Sequence, residues 1–534
     1  MRVKVALLMV LVAGMSYRPL HSRADDGDEP KKDVVDGDVD PATGASNPAD
    51  PTGLTEDDVR AIVKAAAASL NSNNLVIAVT NRRGDILALY RQPAAPQQAI
   101  GNFGLLQDSN EVAIASARTA SFFSHNEGPL SSRTVRFISG VHYPPGIMFT
   151  AQAALYGIEN TNRGCELAPP ANFNPGKAIP QSRSLDGSKP GLGILTGKPD
   201  LNDSNSDIVN ASGVPLFKNN VHVGGVGVAG VPPDVGEYAA FIGLVAGLNG
   251  GAGIGLDVPD PKVVIVDGIA LPFVNQQTLP AGYSAGNAAS YSEDLYVKVP
   301  RASPGPAPDG YLVGPNAGPL GGLTVAEVDK IVQDSIAMAK QTRAIIRLPL
   351  GTRAKFVIAV ADLDGTIIAL NRMPDATIFS VDVAATKARN VLYFSGSLRP
   401  QSDMPQVPIG TAITNRTIEF GSEPFYPPGI DYSGPGKFFE VLYKRDVANP
   451  CTQGSDTRAL NKSGIVFFPG ALPLYRNGVM IGGLGISGDG VEQDDFVTVA
   501  GAAGFEAPEK IRADQVFVDG VRLPYTKFPR NPTF

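Results

Sequence analysis

The stretch LVIAVTNRRGDILALYR (75–91) returns, with changes, as FVIAVADLDGTIIALNR (356–372). In each copy, two runs rich in Val, Ile and Leu flank a turn that contains glycine, which is the pattern of a β-hairpin. A helical pattern precedes each hairpin. The first begins after Leu54, with Thr55 as N-cap and Asp58 three residues later, and the second begins with LTVAEVDKIVQ at residue 323.

The match continues beyond the hairpins in the same order. Each copy has an Arg-bearing helix, a loop that contains Tyr-Pro-Pro-Gly-Ile, a glycine-rich strand pair, a further helix and a closing hydrophobic strand. We interpret this order as a tandem duplication. Hairpins placed beside helices predict an α+β fold with two repeated domains, each a mainly antiparallel sheet flanked by helices, with long loop insertions.

The chain of 534 residues is divided accordingly. Arg2 and Lys4 precede a short apolar run and the small residues before position 25, which predicts a signal peptide and an exported, periplasmic or extracellular protein without a stable membrane span. An acidic Gly/Pro-rich segment follows and predicts a disordered linker. The predicted segments are 1–24 signal peptide, 25–53 linker, 54–275 first repeat, 276–322 Pro/Gly-rich interdomain linker and 323–534 second repeat.

Composition excludes some functions. The net charge is −7 and the sequence lacks a Lys/Arg cluster, so we expect no nucleic-acid binding. The two cysteines form neither CxxC nor CxxCH, which excludes covalent c-type haem attachment and Cys-rich zinc sites. Cys165 and Cys451 follow the two YPPGI loops at equivalent places, so an inter-repeat disulfide is one hypothesis for an oxidising compartment.

The second repeat carries a family pattern. Its residues FVIAVADLDGTIIALNRM, AATKARN and PGALPLYRNGVMIGGLGISGDGVEQDD resemble the HbpS/GlcG-like family of haem-binding domains. The first repeat matches more loosely, through GVPLF and GGVGVAG, and the YPPGI loops lie in insertions relative to the family domain. The resemblance implies a profilin-like fold, pairing or ring assembly, and binding of haem or a related tetrapyrrole.

Candidate haem-binding residues follow from the resemblance together with ligand chemistry. Haem iron takes His, Met, Cys or Tyr, and propionates attract Arg or Lys. The first repeat offers His142, Tyr143 and Met148; the second has Phe425 where the histidine stands and keeps Tyr426. The alternative is that both tyrosines only anchor the Pro-Pro turn, so that the repeated loop is a structural clasp.

The Arg-bearing helices offer Arg118, Arg389 and Lys387 as propionate partners, because the resemblance implies that this helix faces the ligand or assembly region. The alternative is that each arginine satisfies backbone carbonyls. Glu492, Asp494 and Asp495 could bind a hard cation, although a solvated helix N-terminus is the more economical explanation. The two GxGxxG stretches lie late in each repeat and within a strand, which favours tight sheet packing over nucleotide binding.

These observations predict an exported protein that binds haem or a related planar cofactor for sensing, sequestration or protection. The two repeats are predicted to form a pseudo-dimer, and assembly of the chain into a homo-oligomer stays open. Two alternatives stay open: a structural or interaction protein that keeps the fold without a ligand, and a haem-degrading or small-acid-processing enzyme. No catalytic residue is assigned, since no nucleophile–base set is visible in the sequence.

Overall fold

The computed structural model describes fourteen segments of the chain. They are residues 53–101, 106–139, 184–186, 192–195, 210–219, 221–247, 265–266, 269–270, 273–302, 305–423, 426–427, 434–448, 452–456 and 463–533. The predicted signal peptide and acidic linker lie outside these residues, apart from residue 53. Within the described residues, no helix is both long and apolar enough to cross a membrane.

The first repeat forms a four-stranded antiparallel sheet. Its order is β2-β1-β6-β5, with strands β1 (Val76–Asn81), β2 (Ile86–Arg91), β5 (Gly213–Lys218) and β6 (Val221–Ala229). β3 (Gln98–Ile100) and β4 (Leu106–Asp108) pair with each other in a separate two-stranded sheet. The predicted hairpin at 75–91 is confirmed as β1 and β2.

The second repeat repeats this topology and adds one strand at the edge. The sheet order is β12-β13-β10-β11-β9, with β9 (Gly310–Val313), β10 (Phe356–Ala361), β11 (Ile367–Arg372), β12 (Ala471–Arg476) and β13 (Val479–Gly488). The registers break at corresponding places, between Val79 and Thr80 in β1 and between Val360 and Ala361 in β10. The duplication is therefore visible in strand order and in local irregularities.

Helices cover both faces of each sheet. In the first repeat, Ile62 and Val63 of α1 pack with Ile77 and Val79 on one face, while Ala113 of α2 packs with the residues of the other face. The second repeat uses α5 and α6 in the same way. The helices are α1 (Glu56–Ala68), α2 (Ser109–Phe123), α3 (Ser132–Ser139), α4 (Pro233–Ile242), α5 (Val325–Ala339), α6 (Phe379–Ser395), α7 (Asn415–Ser422), α8 (Lys444–Ala448) and α9 (Val491–Gly501). The α+β prediction is confirmed.

The GxGxxG stretches lie in β6 and β13, against the Arg-bearing helices, and Gly230 directly follows β6. A Cβ on Gly227 would lie 2.2 Å from the Ala113 carbonyl oxygen, and one on Gly485 would lie 2.2 Å from that of Ala384. Only glycine leaves room for helix backbone at this distance. The prediction of tight sheet packing is confirmed.

The segment predicted as an interdomain linker, 276–322, packs on both sheets. Tyr296 of this segment forms an antiparallel β-bridge with Tyr90 of the edge strand β2. Tyr291 stacks on Tyr90 with ring centroids 5.6 Å apart. Further along, β9 pairs with β11. The same edge is thus covered in both repeats by this segment.

Each repeat was predicted to close with one hydrophobic strand, and this prediction is wrong in the described residues. The structure has two short paired strands at each place instead. In the second repeat a turn interrupts the run, where Asp519 and Gly520 have positive φ angles of 49° and 78°. The hairpins are β7 (Ile265–Val266) with β8 (Ile269–Ala270), and β14 (Phe517–Val518) with β15 (Val521–Arg522).

Candidate functional site

The Arg-Thr pair that precedes each YPPGI sequence lies on a short helix, and its arginine pairs with a carboxylate on the last helix of its repeat. Arg133 on α3 donates to both carboxylate oxygens of Glu237, at 2.7 and 2.9 Å. Arg416 on α7 makes the equivalent ion pair with Asp495. Both ion pairs are almost fully buried, since the exposed fractions of the side chains are 8% or less. The pairing gives each arginine a structural role.

The threonines complete this attachment. Thr417 Oγ1 donates to the Pro524 carbonyl at 2.7 Å, next to the closing hairpin. In the first repeat, Ser131 bonds both Thr134 and the Phe273 carbonyl. These contacts attach α3 and α7, the helices that precede the two YPPGI sequences, to the closing part of each repeat; the interpretation of the loop itself as a clasp stays a prediction.

Tyr426 lies at the closing hairpin of the second repeat. Its hydroxyl donates to the Val518 carbonyl at 3.1 Å, and its ring meets Phe420 edge-on. Burial raises the pKa of Tyr426 to about 12. A protonated phenol that is bonded to backbone anchors a turn, whereas iron ligation would need this oxygen free.

Arg118 and Arg389 make the same contact in the two repeats. Each Nε donates, at 3.0 Å, to the carbonyl of the hairpin glycine, Gly84 in one repeat and Gly365 in the other. Arg118 also donates to the Leu192 carbonyl at 2.8 Å. Burial lowers the pKa of Arg389 to about 10. The arginines satisfy carbonyls, which was the alternative to propionate binding.

Lys387 lies on the same helix as Arg389 but has a different partner. Its ammonium donates to Asp494 Oδ2 and to the Ile486 carbonyl, both at 2.7 Å, and lies 4.6 Å from the centre of the Phe468 ring. Burial lowers the pKa of Lys387 and raises that of Asp494 to about 7. The pair is held inside the second repeat rather than presented to a ligand.

The acidic residues 492–495 begin α9, as predicted, but they are not a solvated cluster. Glu492 pairs with Lys527 at 2.9 Å, while Asp494 and Asp495 are buried against Lys387 and Arg416. Because each carboxylate has its own cation, the three do not converge on one point. In the described ranges, no group of three His, Cys, Asp or Glu side chains is placed to hold a metal ion.

The remaining predicted site residues lie outside the described residues. They are His142, Tyr143, Met148, Cys165 and Cys451. Their roles as ligands or as a disulfide stay predictions.

Two histidines that the sequence did not single out lie where the repeats meet. His125 follows α2, and His222 lies on β6; both are buried. Arg347 of the second repeat pairs with Glu127 of the first repeat and with Asp375 and Asp489 of its own. A sequence signal existed: RAIIRLPLGTR (343–353) lengthens the connection between the first helix and first strand of the second repeat only.

Comparison with known protein families finds a match in the second repeat. Residues 323–503 match the family described as haem degrading protein HbpS-like. The second repeat is similar to HbpS-like proteins. This HbpS-like region holds α5, β10, β11, α6, β12, β13 and α9, together with Lys387, Arg389 and Tyr426.

Individual relatives cover only part of the chain. The corrinoid adenosyltransferase PduO of Salmonella typhimurium strain LT2 is 29% identical over 163 residues, which are 30% of this chain and 36% of that protein. This chain therefore spans about a third of the length of that curated relative. Two solved structures each cover 34% of the chain with a TM-score of 0.22: a PduOC–haem complex (20% identity, 93% of its chain) and the Klebsiella pneumoniae protein ORFY (19% identity, 88% of its chain).

Proposed function

We propose that this protein binds haem or a related tetrapyrrole. The observation that carries the proposal is the match of residues 323–503 to the HbpS-like family, whose description names haem. The relative found as a complex with haem agrees with it.

The cations and the tyrosine of the HbpS-like domain do not fit the group in their present arrangement. Lys387, Arg389 and Tyr426 all bond internal partners. Removing any of them from its partner would leave a buried polar atom unsatisfied, at a cost of about 1–3 kcal/mol. We therefore assign them no contact with the tetrapyrrole.

The iron ligand that we propose is His142, with Tyr143 and Met148 beside it in sequence. An imidazole is a common axial ligand of haem iron. The second repeat has Phe425 at the corresponding place and contains no histidine. One haem per chain is the expected stoichiometry.

The test is a haemin titration of the mature chain, followed by the visible spectrum. We expect a saturable Soret shift in the wild type that is lost in His142→Ala. The matched variant Phe425→His gives the second repeat the missing imidazole, and a rise in stoichiometry towards two would support ligation from this loop position. No saturable shift in the wild type would eliminate the proposal, and a shift unchanged in His142→Ala would eliminate His142 alone.

A ligand-free structural or interaction protein is the second candidate. The observation that favours it is that the site candidates in the described residues, such as Lys387, Arg389 and Tyr426, all bond partners inside their own repeat. Failure of the wild type to bind haemin, with an intact far-UV circular dichroism spectrum, would support it. Because the family description names degradation, loss of the Soret band after addition of ascorbate would instead indicate an enzyme.

We further propose that the protein is exported and acts outside the cytosol in haem sensing, sequestration or protection. The support is the charged and apolar pattern of the first 24 residues. N-terminal sequencing of the protein made in a secreting host should give a start at Asp25. A start at Met1 in the folded, purified protein would contradict export through this segment.

A further inference from the structure

The two repeats meet through different surfaces. The first repeat contributes the end of α2 and the loop after it, while the second contributes the start of α6 and the arm (residues 343–353). The Phe123 and Phe379 rings stack with centroids 3.8 Å apart, and the Ile378 amide donates to the Phe122 carbonyl at 2.9 Å. The predicted pseudo-dimer would place equivalent surfaces together; instead, Phe394, the counterpart of Phe123, lies in a separate cluster of the second repeat.

Charged groups surround this apolar contact. Asp375 of the second repeat accepts from Arg82 and from the Asn126 amide of the first. Glu127 of the first repeat accepts from Arg347 at 2.8 Å and from Lys355 at 3.0 Å. The contact between the repeats is thus polar at several points, whereas each repeat has a core of its own.

The side chain of His125 lies inside this contact. It is fully buried, and neither ring nitrogen has a hydrogen-bond partner among the described residues. The arm closes over it: a Cβ on Gly128 would lie 2.8 Å from the Ile346 carbonyl oxygen and 2.9 Å from the His125 ring. Among the described residues, no carboxylate accepts a hydrogen bond from this imidazole, so a proton on it would create a buried charge without a bonded counter-ion.

The groups that face His125 come from every element packed on it. Protonation of His125 is disfavoured by Arg347 on the arm, Arg82 in the β1–β2 turn and His222 on β6. Asp375 favours it. Asp375 already accepts hydrogen bonds from both arginines. Burial, followed by the Arg347 charge, holds the pKa of His125 well below its usual value of 6.5.

His222 adds a second neutral imidazole to the same contact. Its backbone amide donates to Asn126 Oδ1 at 2.9 Å, and its Nε2–H donates to the Gly224 carbonyl, which leaves Nδ1 without a partner among the described residues. Burial, followed by the Arg82 charge, lowers the pKa of His222 to about 3. Two of the four histidines in the chain therefore lie at one contact.

We propose that the contact between the repeats is an acid-sensitive latch: protonation of His125 and His222 separates the two repeats while each repeat keeps its own fold. The proposal does not depend on haem binding. Both histidines are neutral when the latch is closed and can accept a proton only when it opens.

The direction of the pH dependence follows from this linkage. Above pH 6.5 both histidines are neutral in either state, so the latch has its full stability. Below that value each exposed histidine binds a proton that the closed state does not, and the ratio of open to closed chains rises about tenfold per pH unit for each histidine. At pH 5 this amounts to about 30-fold for one histidine and about 1,000-fold for two.

The test is small-angle X-ray scattering of the mature chain between pH 7.5 and 4.5, with far-UV circular dichroism at each point. We expect the radius of gyration to increase below pH 6.5 while secondary structure is retained. Loss of secondary structure in step with the expansion would show general unfolding and overturn the proposal.

Two substitutions remove the titrating groups. His125→Phe keeps a ring at a site that offers no hydrogen bond, and His222→Met introduces the residue that the second repeat has at the matching position, Met480. The pH dependence should approach two protons in the wild type, fall to one in either single variant and disappear in the double variant. Expansion of the double variant at the pH of the wild type would overturn the proposal.

A measurement on the wild type keeps the proposal testable if these variants do not fold. Histidine-selective NMR labelling yields few ring signals, since the chain has four histidines. The signals of His125 and His222 should titrate together with the expansion. Titration of both near pH 6.5, with unchanged scattering, would contradict the latch.

Discussion

In both repeats the Arg-bearing helix contacts the hairpin in the same way. The repeats differ in whether that helix also forms a buried ion pair with the last helix. Arg118 and Arg389 bond the hairpin glycine at the same distance. Lys387 and Asp494 form a buried ion pair in the second repeat, while the matching positions of the first are Ser116 and Gly236. Both members of the pair are absent together.

This difference shows how a duplicated fold can change in its interior. A buried lysine without its carboxylate, or the reverse, leaves a charge that the apolar interior cannot compensate. The ion pair can therefore be gained or lost as a unit, while the arginine contact stays because the hairpin carbonyls it satisfies are present in both repeats.

Lys387→Met should have the largest effect. It leaves Asp494 buried without its cation, so we expect a loss of about 3–5 kcal/mol in the free energy of unfolding of the second repeat. Hydrogen exchange of the α6 amides in a urea series measures the stability of the second repeat separately from that of the first.

The matched control is the double variant Lys387→Ser/Asp494→Gly, which copies the first repeat. We expect it to recover at least half of the loss, since no buried charge is left unpaired. If the double variant is less stable than Lys387→Met, the two positions do not act as a unit.

Gly227→Ala and Gly485→Ala test whether the helix–sheet contact is equally tight in both repeats. Either added methyl group would meet a helix carbonyl oxygen at 2.2 Å, so each should cost about 3 kcal/mol or more. Gly434→Ala is the control, because nothing lies within 4 Å of its added Cβ. Unfolding midpoints for the three variants give the comparison, and a neutral Gly485→Ala would show that α6 can move away.

The hairpins, the Arg-bearing helices and the glycine packing could be predicted from sequence because each depends on a local pattern. Hydrophobic alternation identified β1 and β10, and glycines inside a strand indicated a close approach of backbone. The capping pair of Thr55 and Asp58 was likewise readable from its spacing.

The partners of buried charges could not be predicted, because they depend on contacts between distant segments. Asp494 was grouped with its neighbours in sequence, although its partner Lys387 lies more than a hundred residues away. His125 carries no motif, and its burial arises only when the arm reaches the other repeat. Comparing the repeats position by position could have signalled the joint change at 387 and 494.

Arg118→Met and Arg389→Met should have similar, smaller effects. Each removes charge-assisted hydrogen bonds to buried carbonyls, for a loss of about 2 kcal/mol in the unfolding free energy of its own repeat. Urea unfolding followed by hydrogen exchange separates the repeats. A fall in haem affinity without any loss of stability would instead support a propionate contact.

Thr55→Ala and Thr324→Ala should have the smallest effect, and an equal one. Each threonine accepts from the backbone amide of the third helical residue, Asp58 at 3.1 Å or Glu327 at 3.3 Å, and each carboxylate bonds back to the threonine amide. Loss of the cap should lower the stability of each repeat by about 1 kcal/mol, and Ser at either position should restore most of it. Because Asp58 also pairs with Lys218 and Glu327 with Arg476, the carboxylates stay held after the threonine is removed. A much larger loss in one repeat would therefore mean that its first helix depends on the cap for more than the amide that the threonine satisfies.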